Sequence, residues 1–453
     1  MTEFLAGASV RHRQMGAGKV LATRYRGYEC WVEFRSLRAW VKGQELTLIE
    51  GARRQRSASN ELPVSAERMG LPSTGRAKTV VATHGDRAVL EAFRLGTVPD
   101  AYVEQWTEGR DDELAHMAHW LDDLADGSLL LEGAYGSGKS HLLQALRTRA
   151  LRQGWAVSSS HLDAGEESAA FSKRLYRQVA RGLEVPGLGR LEHALLALAD
   201  TPGPNPAEGH PILGAVLDKI RGGKMRAEDW EAVLGEGDAQ AVTGFLPDYT
   251  TSANVYANLL SGLGHLITQS LGKKGLLVLV DEVETASACL YAFHFRRAQS
   301  FFRGLTLAAS DEPSLLDEPV VKSKTCYVGE RSGLVYSGHR RVPYLWRIPS
   351  GLKVVLATTP GAIRGQYLEW RKSQTLLEIQ PLRARALRTL MERVNQTYQA
   401  LYGVSFPELT VTALTGTLIE RFGGIATRRV LKAFVECLDF RRFNPGERLR
   451  DIF

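Results

Sequence analysis

Eight consecutive residues, from Gly133 to Ser140, match the phosphate-binding pattern G-x-x-x-x-G-K-[ST] in full. The apolar run Leu129–Leu131 predicts a strand directly before them, and the residues after Lys139 have helical spacing. Glycines let the backbone amides curl around phosphate oxygens, and the helix N-terminus adds the positive end of its dipole. The pattern therefore predicts an ATP-binding loop in which Lys139 reaches the β- and γ-phosphates and the Ser140 hydroxyl coordinates Mg²⁺. The predicted nucleotide-binding residues are Gly133, Ala134, Tyr135, Gly136, Ser137, Gly138, Lys139, Ser140 and His141.

Two acidic residues follow a second apolar run, about 140 residues after the glycine-rich pattern. The run, residues 275–280, predicts a buried strand, and Asp281 and Glu282 stand at its C-terminal end. The ligand crevice of a parallel α/β sheet lies at this end of the strands. We therefore predict that Asp281 binds Mg²⁺ and that Glu282 polarises the attacking water, because metal binding and water activation are separate tasks. Glu284 is an alternative candidate for positioning this water.

An α/β framework is needed to bring these residues together, and the chain between residues 80 and 381 predicts one. Apolar strands alternate there with segments of helical spacing, which implies a parallel sheet covered on both faces. The main strands are predicted at Ser128–Leu131, Ala156–Ser160, Gly275–Val280 and Leu352–Thr358. Residues 382–440 have helical spacing, broken at Gly403–Pro407 and Gly423–Gly424. We predict an α/β P-loop core with inserted helices at 80–381 and a helical C-terminal lid at 382–453.

The first fifty residues predict a small basic β-barrel, because several short strands in this length can close in no other way. The strands are predicted at Lys19–Arg24, Glu29–Phe34, Arg38–Val41 and Leu46–Ile49. The string from Val10 to Phe34 resembles the tudor-like barrels of transcription–repair coupling and CarD-type proteins. The resemblance implies binding of a protein or a nucleic acid, and a solvated basic face is the alternative. Residues 51–79 lack hydrophobic periodicity and predict a linker.

The composition limits the classes of function that the chain can have. The formal net charge is +7, which favours nucleic acid or another polyanion as a partner. Apolar runs such as Leu276–Val280 are too short to span a bilayer, and the N-terminus has no signal-peptide pattern, so we predict a cytoplasmic protein without membrane association. The cysteines lie far apart without a C-x-x-C pair, which argues against a disulfide framework or a zinc site. They are Cys30, Cys289, Cys326 and Cys437.

Residues 320–348 are unusually basic and aromatic, with glycines that predict the turns of two β-hairpins. The interleaved side chains are Lys322, Lys324, Arg331, Arg340, Arg341 and Arg347 with Tyr327, Tyr336, Tyr344 and Trp346. Such interleaving suits phosphate contacts combined with base stacking. Hairpins that pack on the α/β core or on a neighbouring subunit explain the aromatic residues equally well.

Five segments of the chain carry a more specific resemblance. They read VLEAFRLGTVP from Val89, GRD from Gly109, EGAYGSGKSHLL from Glu132, VDEVE from Val280 and RRVLKAFVECLD from Arg428. In these segments the chain resembles the BREX-type ATP-binding proteins, a BrxD-like P-loop family related to the AAA+ and origin-recognition ATPases. The resemblance implies an AAA+-like ATPase that works on DNA together with other proteins of a bacterial anti-phage defence system.

The AAA+ resemblance also implies roles for polar residues outside the glycine-rich motif and the acidic motif. AAA+ ATPases carry a residue that senses the γ-phosphate at the end of a core strand, where this chain has Thr358 and Thr359. Capping of the strand is the alternative for both threonines. In the C-terminal region, Arg428 or Arg429 resembles the lid arginine that reaches back to the nucleotide, and a pair of surface arginines is the alternative.

A further arginine is expected to act on the γ-phosphate held by a neighbouring subunit, because negative charge develops there during transfer. Arg371 precedes the predicted strand Thr375–Ile379 and is the first candidate for this catalytic role, with Arg364 the second. Such an arginine implies an ATP-dependent homo-oligomer.

These observations predict an α/β, AAA+-like parallel sheet with a helical lid, preceded by a small all-β barrel. The predicted function is that of an ATP-hydrolysing switch or loader that acts with DNA and partner proteins in anti-phage defence. One alternative is an ATP-controlled oligomeric adaptor with little hydrolysis. Another is an ATPase of the transposition or helicase-loader type, which shares this core.

Overall fold

The computed structural model describes residues 9–12, 16–24, 29–34, 38–42, 46–50, 84–163, 165, 168–236, 245–288, 291–363, 368–406, 411–422 and 427–445. The chain divides into two compact units, Met1–Arg76 and Ala77–Phe453. The predicted linker at 51–79, Arg364, Cys289 and the glycine break at 423–424 lie outside the described residues.

The N-terminal unit contains a five-stranded antiparallel sheet with the order β4-β3-β2-β1-β5. Its strands are β1 Ser9–His12, β2 Gly16–Arg24, β3 Glu29–Phe34, β4 Arg38–Lys42 and β5 Leu46–Glu50. Strand β1 pairs with both β2 and β5, so the last strand returns to the first. The buried side chains include Val10, Val20, Val32 and Leu46. In this order β4 and β5 are the two edges, so closure of the sheet into a barrel stays a prediction.

The second unit is built on strands and helices that alternate along the chain. Its strands are β6 Ser128–Glu132, β7 Ala156–His161, β8 Leu276–Asp281, β9 Val320–Lys322, β10 Tyr327–Gly329, β11 Val335–Tyr336, β12 Leu352–Thr358 and β13 Thr375–Glu378. Its helices are α1 His84–Leu95, α2 Asp111–Asp122, α3 Lys139–Arg152, α4 Ser172–Gly182, α5 Leu191–Ala199, α6 Leu213–Arg221, α7 Ala227–Val233, α8 Ala253–Gln269, α9 Ala292–Ala309, α10 Leu368–Lys372, α11 Ala384–Tyr402, α12 Val411–Phe422 and α13 Thr427–Phe443.

The predicted parallel sheet is confirmed, with the order β13-β6-β12-β8-β7 and parallel pairing throughout. Successive side chains of a strand point to opposite faces, and both faces of β8 are fully buried. Leu276, Val278 and Val280 pack in one core cluster with α4, α8 and α9. Leu277 and Leu279 pack in another with α2 and α3. The continuous apolar run of β8 is therefore explained by helices on both sides of the sheet.

The segment 320–348 folds onto this core as a small antiparallel sheet with the order β11-β10-β9. Tyr336 and Tyr344 are fully buried, and the Tyr344 hydroxyl donates to the Val335 carbonyl at 2.6 Å. The Asn254 amide of α8 donates to the carbonyls of Arg340 and Val342. Packing on the core, one of the alternatives left open by the sequence, therefore accounts for these two tyrosines.

The C-terminal helices α11, α12 and α13 share one apolar cluster with α1, which lies nearly 300 residues earlier in the chain. Phe93 of α1 packs there with Leu390 and Phe434. The Arg94 guanidinium binds the Asp439 carboxylate through Nε at 2.8 Å and Nη2 at 2.9 Å. Helix α1, predicted as part of the α/β core, therefore packs with the C-terminal helices.

Candidate nucleotide-binding site

The glycine-rich loop connects β6 to α3, which begins at Lys139. Gly136 and Gly138 have φ angles of 78° and 108°, in the left-handed region that a side chain disfavours. A Cβ atom at Gly133 would lie 2.5 Å from the Ser137 hydroxyl oxygen. These positions therefore require glycine. The loop leads directly into the N-terminus of α3, and a glycine-rich loop before a helix N-terminus is a typical phosphate-binding arrangement.

The two motifs predicted from the sequence meet at this loop. The Ser140 hydroxyl donates to Asp281 Oδ2 at 2.6 Å. The Lys139 ammonium donates to the Gly133 carbonyl at 2.8 Å and lies 3.8 Å from Glu284 Oε1. A hydroxyl and a carboxylate are hard oxygen ligands, so Ser140 and Asp281 fit Mg²⁺.

Two glutamates stand beside this pair, and their surroundings differ. Glu282 Oε2 lies 3.5 Å from His161 Nε2, at the end of the neighbouring strand β7. Burial raises the pKa of the Glu284 carboxyl, while the Lys139 ammonium acts in the opposite direction. Both carboxylates line the cavity that Ser140 and Asp281 also line, so both stay candidates for activating the attacking water.

The predicted γ-phosphate sensors lie one strand away from the acids. Thr358 is fully buried at the end of β12, and its carbonyl accepts a hydrogen bond from the Gly133 amide at 3.1 Å. Thr359 follows it and is half-buried. Neither threonine is among the described residues that line the main cavity, so the structure ties Thr358 to the P-loop through its backbone.

Arg371 is placed differently from Arg428. Arg371, on α10, donates to both oxygens of the Glu132 carboxylate, at 2.6 and 2.5 Å. Glu132 ends β6 and is 3% exposed. The pair borders a second cavity, which also contains Pro360 and Gln380. Within the chain, Arg371 is thus a partner of a buried acid rather than a neighbour of Lys139.

Arg428 connects the C-terminal helices to the P-loop. It lies in the first turn of α13, and its Nη1 is 3.3 Å from the Tyr135 hydroxyl. Its backbone amide donates to the Gly136 carbonyl at 3.4 Å. Arg429, the alternative candidate, is exposed and is not among the described lining residues of the main cavity.

The main cavity has a volume of about 480 Å³ and two chemically different groups of lining residues. One group consists of the P-loop, Asp281 and the two glutamates. The other is apolar and consists of Phe93, Val98, Pro99, Trp106, Leu390 and Leu431. Pockets of this size with an apolar wall and a few convergent polar groups are typical of small-molecule sites. The polar group of residues fits a phosphate chain, and the apolar group fits a flat heterocycle.

Arg110 lines the same cavity and holds the P-loop by a hydrogen bond, a role that the sequence motifs do not predict. Its side chain is buried and donates to the Ser137 carbonyl at 2.7 Å and to the Gln380 carbonyl at 2.6 Å. Burial, followed by the charge of Arg110, lowers the pKa of His141 to about 4, so this imidazole is neutral at neutral pH. His141 Nε2 lies 2.7 Å from the Thr107 hydroxyl. The segment GRD at Gly109 was the one available signal for Arg110.

The strand order and the cradle define the class of the protein. Counted from the P-loop strand, the order is 5-1-4-3-2, with β12 between the P-loop strand and the strand that ends in Asp281. This is the order of AAA+-type P-loop ATPases, and the second unit has that fold. Residues 81–192 match the family model "BREX system ATP-binding protein BrxC/D", about a quarter of the chain.

Comparisons with other proteins give weaker similarities. No curated protein matches the chain at a significant level. Domain III of the Thermotoga maritima replication initiation protein DnaA is 10% identical, with a TM-score of 0.34, over 76% of this chain and 92% of that chain. Drosophila ORC bound to DNA is 13% identical, with a TM-score of 0.33, over 84% and 66% of the two chains. The Aeropyrum pernix ORC2 protein, in ADPNP–ADP complexes, is 15% identical, with a TM-score of 0.33, over 74% and 64%.

Similarities of this size add nothing to the strand order, on which the fold assignment rests. Among the described helices, none has the length and apolar character needed to cross a bilayer.

Proposed function

We propose that this chain is a Mg²⁺-dependent ATPase. The observation that carries the proposal is the 2.6 Å contact of the Ser140 hydroxyl with Asp281, beside the glycine cradle and in one cavity with Glu282. The residues of this contact lie 141 positions apart in the sequence and arrive from a helix N-terminus and a strand end. Hard oxygen ligands next to a phosphate cradle are the arrangement that Mg-ATP requires.

Each residue has a separate task in the proposed reaction. Lys139 binds the β- and γ-phosphates, and Ser140 and Asp281 hold the metal ion. When bound, Mg²⁺ supplies charge neutralisation on the phosphate oxygens. Glu282 accepts a hydrogen bond from the attacking water and takes its proton. Arg428, which contacts Tyr135 of the P-loop, adds positive charge to the same cavity.

We further propose that the ATPase works in the cytoplasm as an oligomeric switch or loader, with DNA and partner proteins, in anti-phage defence. The match of residues 81–192 to a BREX system family supports the defence role. The net charge of +7 supports a polyanionic partner. The sensing roles of Thr358 and Thr359 and the trans-acting role of Arg371 remain part of this proposal.

A second candidate function is an adaptor that binds ATP and changes its oligomeric state but hydrolyses little. The contact of Glu282 with His161, 3.5 Å between Oε2 and Nε2, favours this alternative. A Glu282 carboxylate that binds His161 is not directed at the attacking water, so hydrolysis would be slow. The two functions share the nucleotide cradle and differ in whether Glu282 reaches the attacking water.

The first experiment is steady-state ATP hydrolysis by the wild type and by Glu282→Gln, each with and without duplex DNA. We expect the wild type to turn over and the variant to lose about 10²- to 10⁴-fold in rate, because it lacks the general base. Binding of a fluorescent ATP analogue should be retained, because Lys139, Ser140 and Asp281 are unchanged. Glu369→Gln, which alters an exposed carboxylate on α10, is the matched control and should keep full activity.

Three outcomes decide between the candidates. A Glu282→Gln variant that still hydrolyses ATP, together with an inactive Glu284→Gln, moves the role of base to Glu284. Wild-type protein that binds the analogue and changes its oligomeric state on binding, but does not hydrolyse ATP, supports the adaptor. Wild-type protein that binds no ATP analogue contradicts both functions.

A further inference from the structure

The basic residues of the segment 320–348 lie close to one another in the folded chain. In the hairpin of β9 and β10, Lys322 is the register partner of Tyr327. The Arg341 guanidinium lies 4.4 Å from the centre of the Tyr327 ring. The turn between the two strands carries Lys324. Three cations that are separated in the sequence therefore meet around one tyrosine and the turn next to it.

The group continues onto the loop that precedes α6. Arg340, next to Arg341 in the chain, donates to the Pro211 carbonyl at 3.3 Å. Arg347 donates to the Glu208 carbonyl at 2.9 Å, three residues earlier on the same loop. Arg340 is half-buried, and the other cations of the group are exposed. We call the whole group the basic strip, and its members are Lys322, Lys324, Arg340, Arg341 and Arg347.

The acidic residues of this region lie at the other end of the hairpin and do not neutralise the basic strip. Between residues 317 and 348 the chain has six basic and three acidic residues. Arg331, the basic residue outside the strip, pairs with Asp317 at 2.8 Å, and its amide donates to the buried Glu318 carboxylate at 3.0 Å. Glu330 follows β10 at the end away from the turn. In the part of the chain that the structure describes, no carboxylate forms an ion pair with the strip.

The three arginines of the strip are held in place by uncharged groups. Arg340 and Arg347 each donate to a backbone carbonyl, and Arg341 lies on a ring. A guanidinium has five N–H donors, so each arginine keeps donors for an anion. Ordering a long side chain costs rotamer freedom, and these contacts meet part of that cost before any partner binds. Pre-positioned cations without counter-charge fit a partner with repeating negative charge.

The aromatic rings of the segment are already engaged. Tyr336 and Tyr344 are buried. Tyr327 and Trp346 pack against the core cluster, and each is covered by an arginine of the strip, at 4.4 and 4.2 Å from the ring centre. Base stacking needs a free ring face, so these four rings do not provide it. Of the two contacts that the sequence suggests for this segment, phosphate binding is therefore the one that the structure favours.

We propose that the basic strip binds the phosphate backbone of duplex DNA. Phosphates follow one another along both strands of a duplex, so a connected group of cations can contact several of them at once. Such contacts position the nucleic acid without reading its sequence. A duplex carries more charge per unit length than a single strand, so it gains more from the strip. The inference rests on the nucleic-acid part of the proposed function and assigns it a surface and a form of substrate.

The test is fluorescence anisotropy of a labelled blunt DNA duplex of about 30 base pairs, titrated with the full chain at several salt concentrations. We expect Lys322→Gln/Arg341→Gln to weaken binding about 10- to 60-fold at about 0.1 M salt, because two phosphate contacts are lost. The slope of the logarithm of the binding constant against the logarithm of the salt concentration should become shallower by about 2. Duplexes of different sequence should show the same loss.

A second strip variant guards against a damaged hairpin. Lys322→Gln/Lys324→Gln keeps the ring contact of Arg341 and should show the same change in slope. The matched control is Arg385→Gln/Arg388→Gln, which removes two exposed arginines of α11 and gives the same net charge as the strip variants. The control should bind the duplex as the wild type does.

Three results would overturn the proposal. Wild-type affinity and slope in both strip variants would leave the strip to an acidic protein partner. An equal loss in the α11 control would mean that net charge, and not the strip, determines binding. Tighter binding of the wild type to a single-stranded oligothymidylate of the same length than to the duplex would contradict the assignment of the strip to a duplex.

Binding of the fluorescent ATP analogue is measured on the same proteins. Strip variants that bind both the analogue and the duplex as the wild type does contradict the strip alone and leave the ATPase and its DNA partner in place. A wild type that binds the analogue but no duplex contradicts the DNA part of the proposed function together with the strip. A wild type that binds the duplex through the strip but no analogue contradicts the ATPase proposal and leaves the strip intact.

Discussion

Glu282 has a backbone conformation that a residue with a side chain rarely adopts, with φ at 58°. Its amide donates to Asp281 Oδ1 at 2.9 Å, and its carbonyl accepts from the Thr285 amide at 3.0 Å. Such strain costs about 1–3 kcal/mol and is retained mainly where the surrounding contacts enforce it, often at functional sites. Here the turn aims the carboxylate at His161.

We expect His161→Ala to raise ATP turnover, because the substitution releases the Glu282 carboxylate for the attacking water. A partly exposed pair of this kind contributes about 0.2–1 kcal/mol, so the rise should not exceed about fivefold. Steady-state hydrolysis at saturating ATP measures it, with His116→Ala on the exposed face of α2 as the control. Slower turnover in His161→Ala would instead assign this histidine to binding or orienting the nucleotide.

The candidate site could be predicted where the chemistry lies in a local pattern. The spacing from Gly133 to Ser140 determines the loop, the helix start and the position of Lys139, and an apolar strand places Asp281 at the same edge of the sheet. Arg110 could not be found in this way. One of its hydrogen-bond partners is the Gln380 carbonyl, 270 residues away, and no local pattern encodes such a contact.

At the scale of elements, the Arg371–Glu132 pair connects α10 to the end of the P-loop strand. We expect Arg371→Ala to lower the free energy of unfolding by about 3–5 kcal/mol, because it leaves the buried Glu132 carboxylate without its counter-charge. Urea unfolding followed by circular dichroism measures the loss. Glu132→Gln/Arg371→Met should lose much less, because neither charge remains.

The opposite pattern would restore the catalytic role predicted for Arg371. In that case Arg371→Ala would keep the stability of the wild type and lose ATP turnover. Adding an inactive Lys139→Ala subunit with an intact Arg371 would then restore part of the turnover, because the arginine would act across the subunit interface.

The pairing of elements could be predicted for the sheet and not for α1. Apolar runs such as 276–280 predict buried parallel strands, because only strands covered on both faces are apolar at every position. Helix α1 packs with α11 and α13 and is joined to α13 by the Arg94–Asp439 pair, 345 residues apart in sequence. Its amphipathic spacing predicts a helix but contains no information about which helices cover its apolar face.

At the scale of the whole molecule, buried histidines make stability depend on pH. His210 is 4% exposed, and its Nδ1 accepts hydrogen bonds from the amides of Ile212 and Leu213 at the start of α6. Burial is the main reason that the pKa of His210 is lowered from 6.5 to about 3, with the nearby Arg347 charge acting in the same direction. The folded chain therefore holds this imidazole neutral where the unfolded chain protonates it.

Stability should consequently fall as the pH decreases from 6.5 towards 3, since the unfolded state binds the additional proton. For His210 alone, the loss between pH 7 and pH 4 is about 3 kcal/mol. His210→Asn keeps an acceptor for the two amides but cannot be protonated, so urea unfolding of this variant should show a flatter pH dependence than the wild type. His116→Gln, which removes an exposed histidine, should leave the wild-type slope unchanged. Equal slopes for wild type and His210→Asn would mean that this imidazole titrates in the folded protein as it does in water.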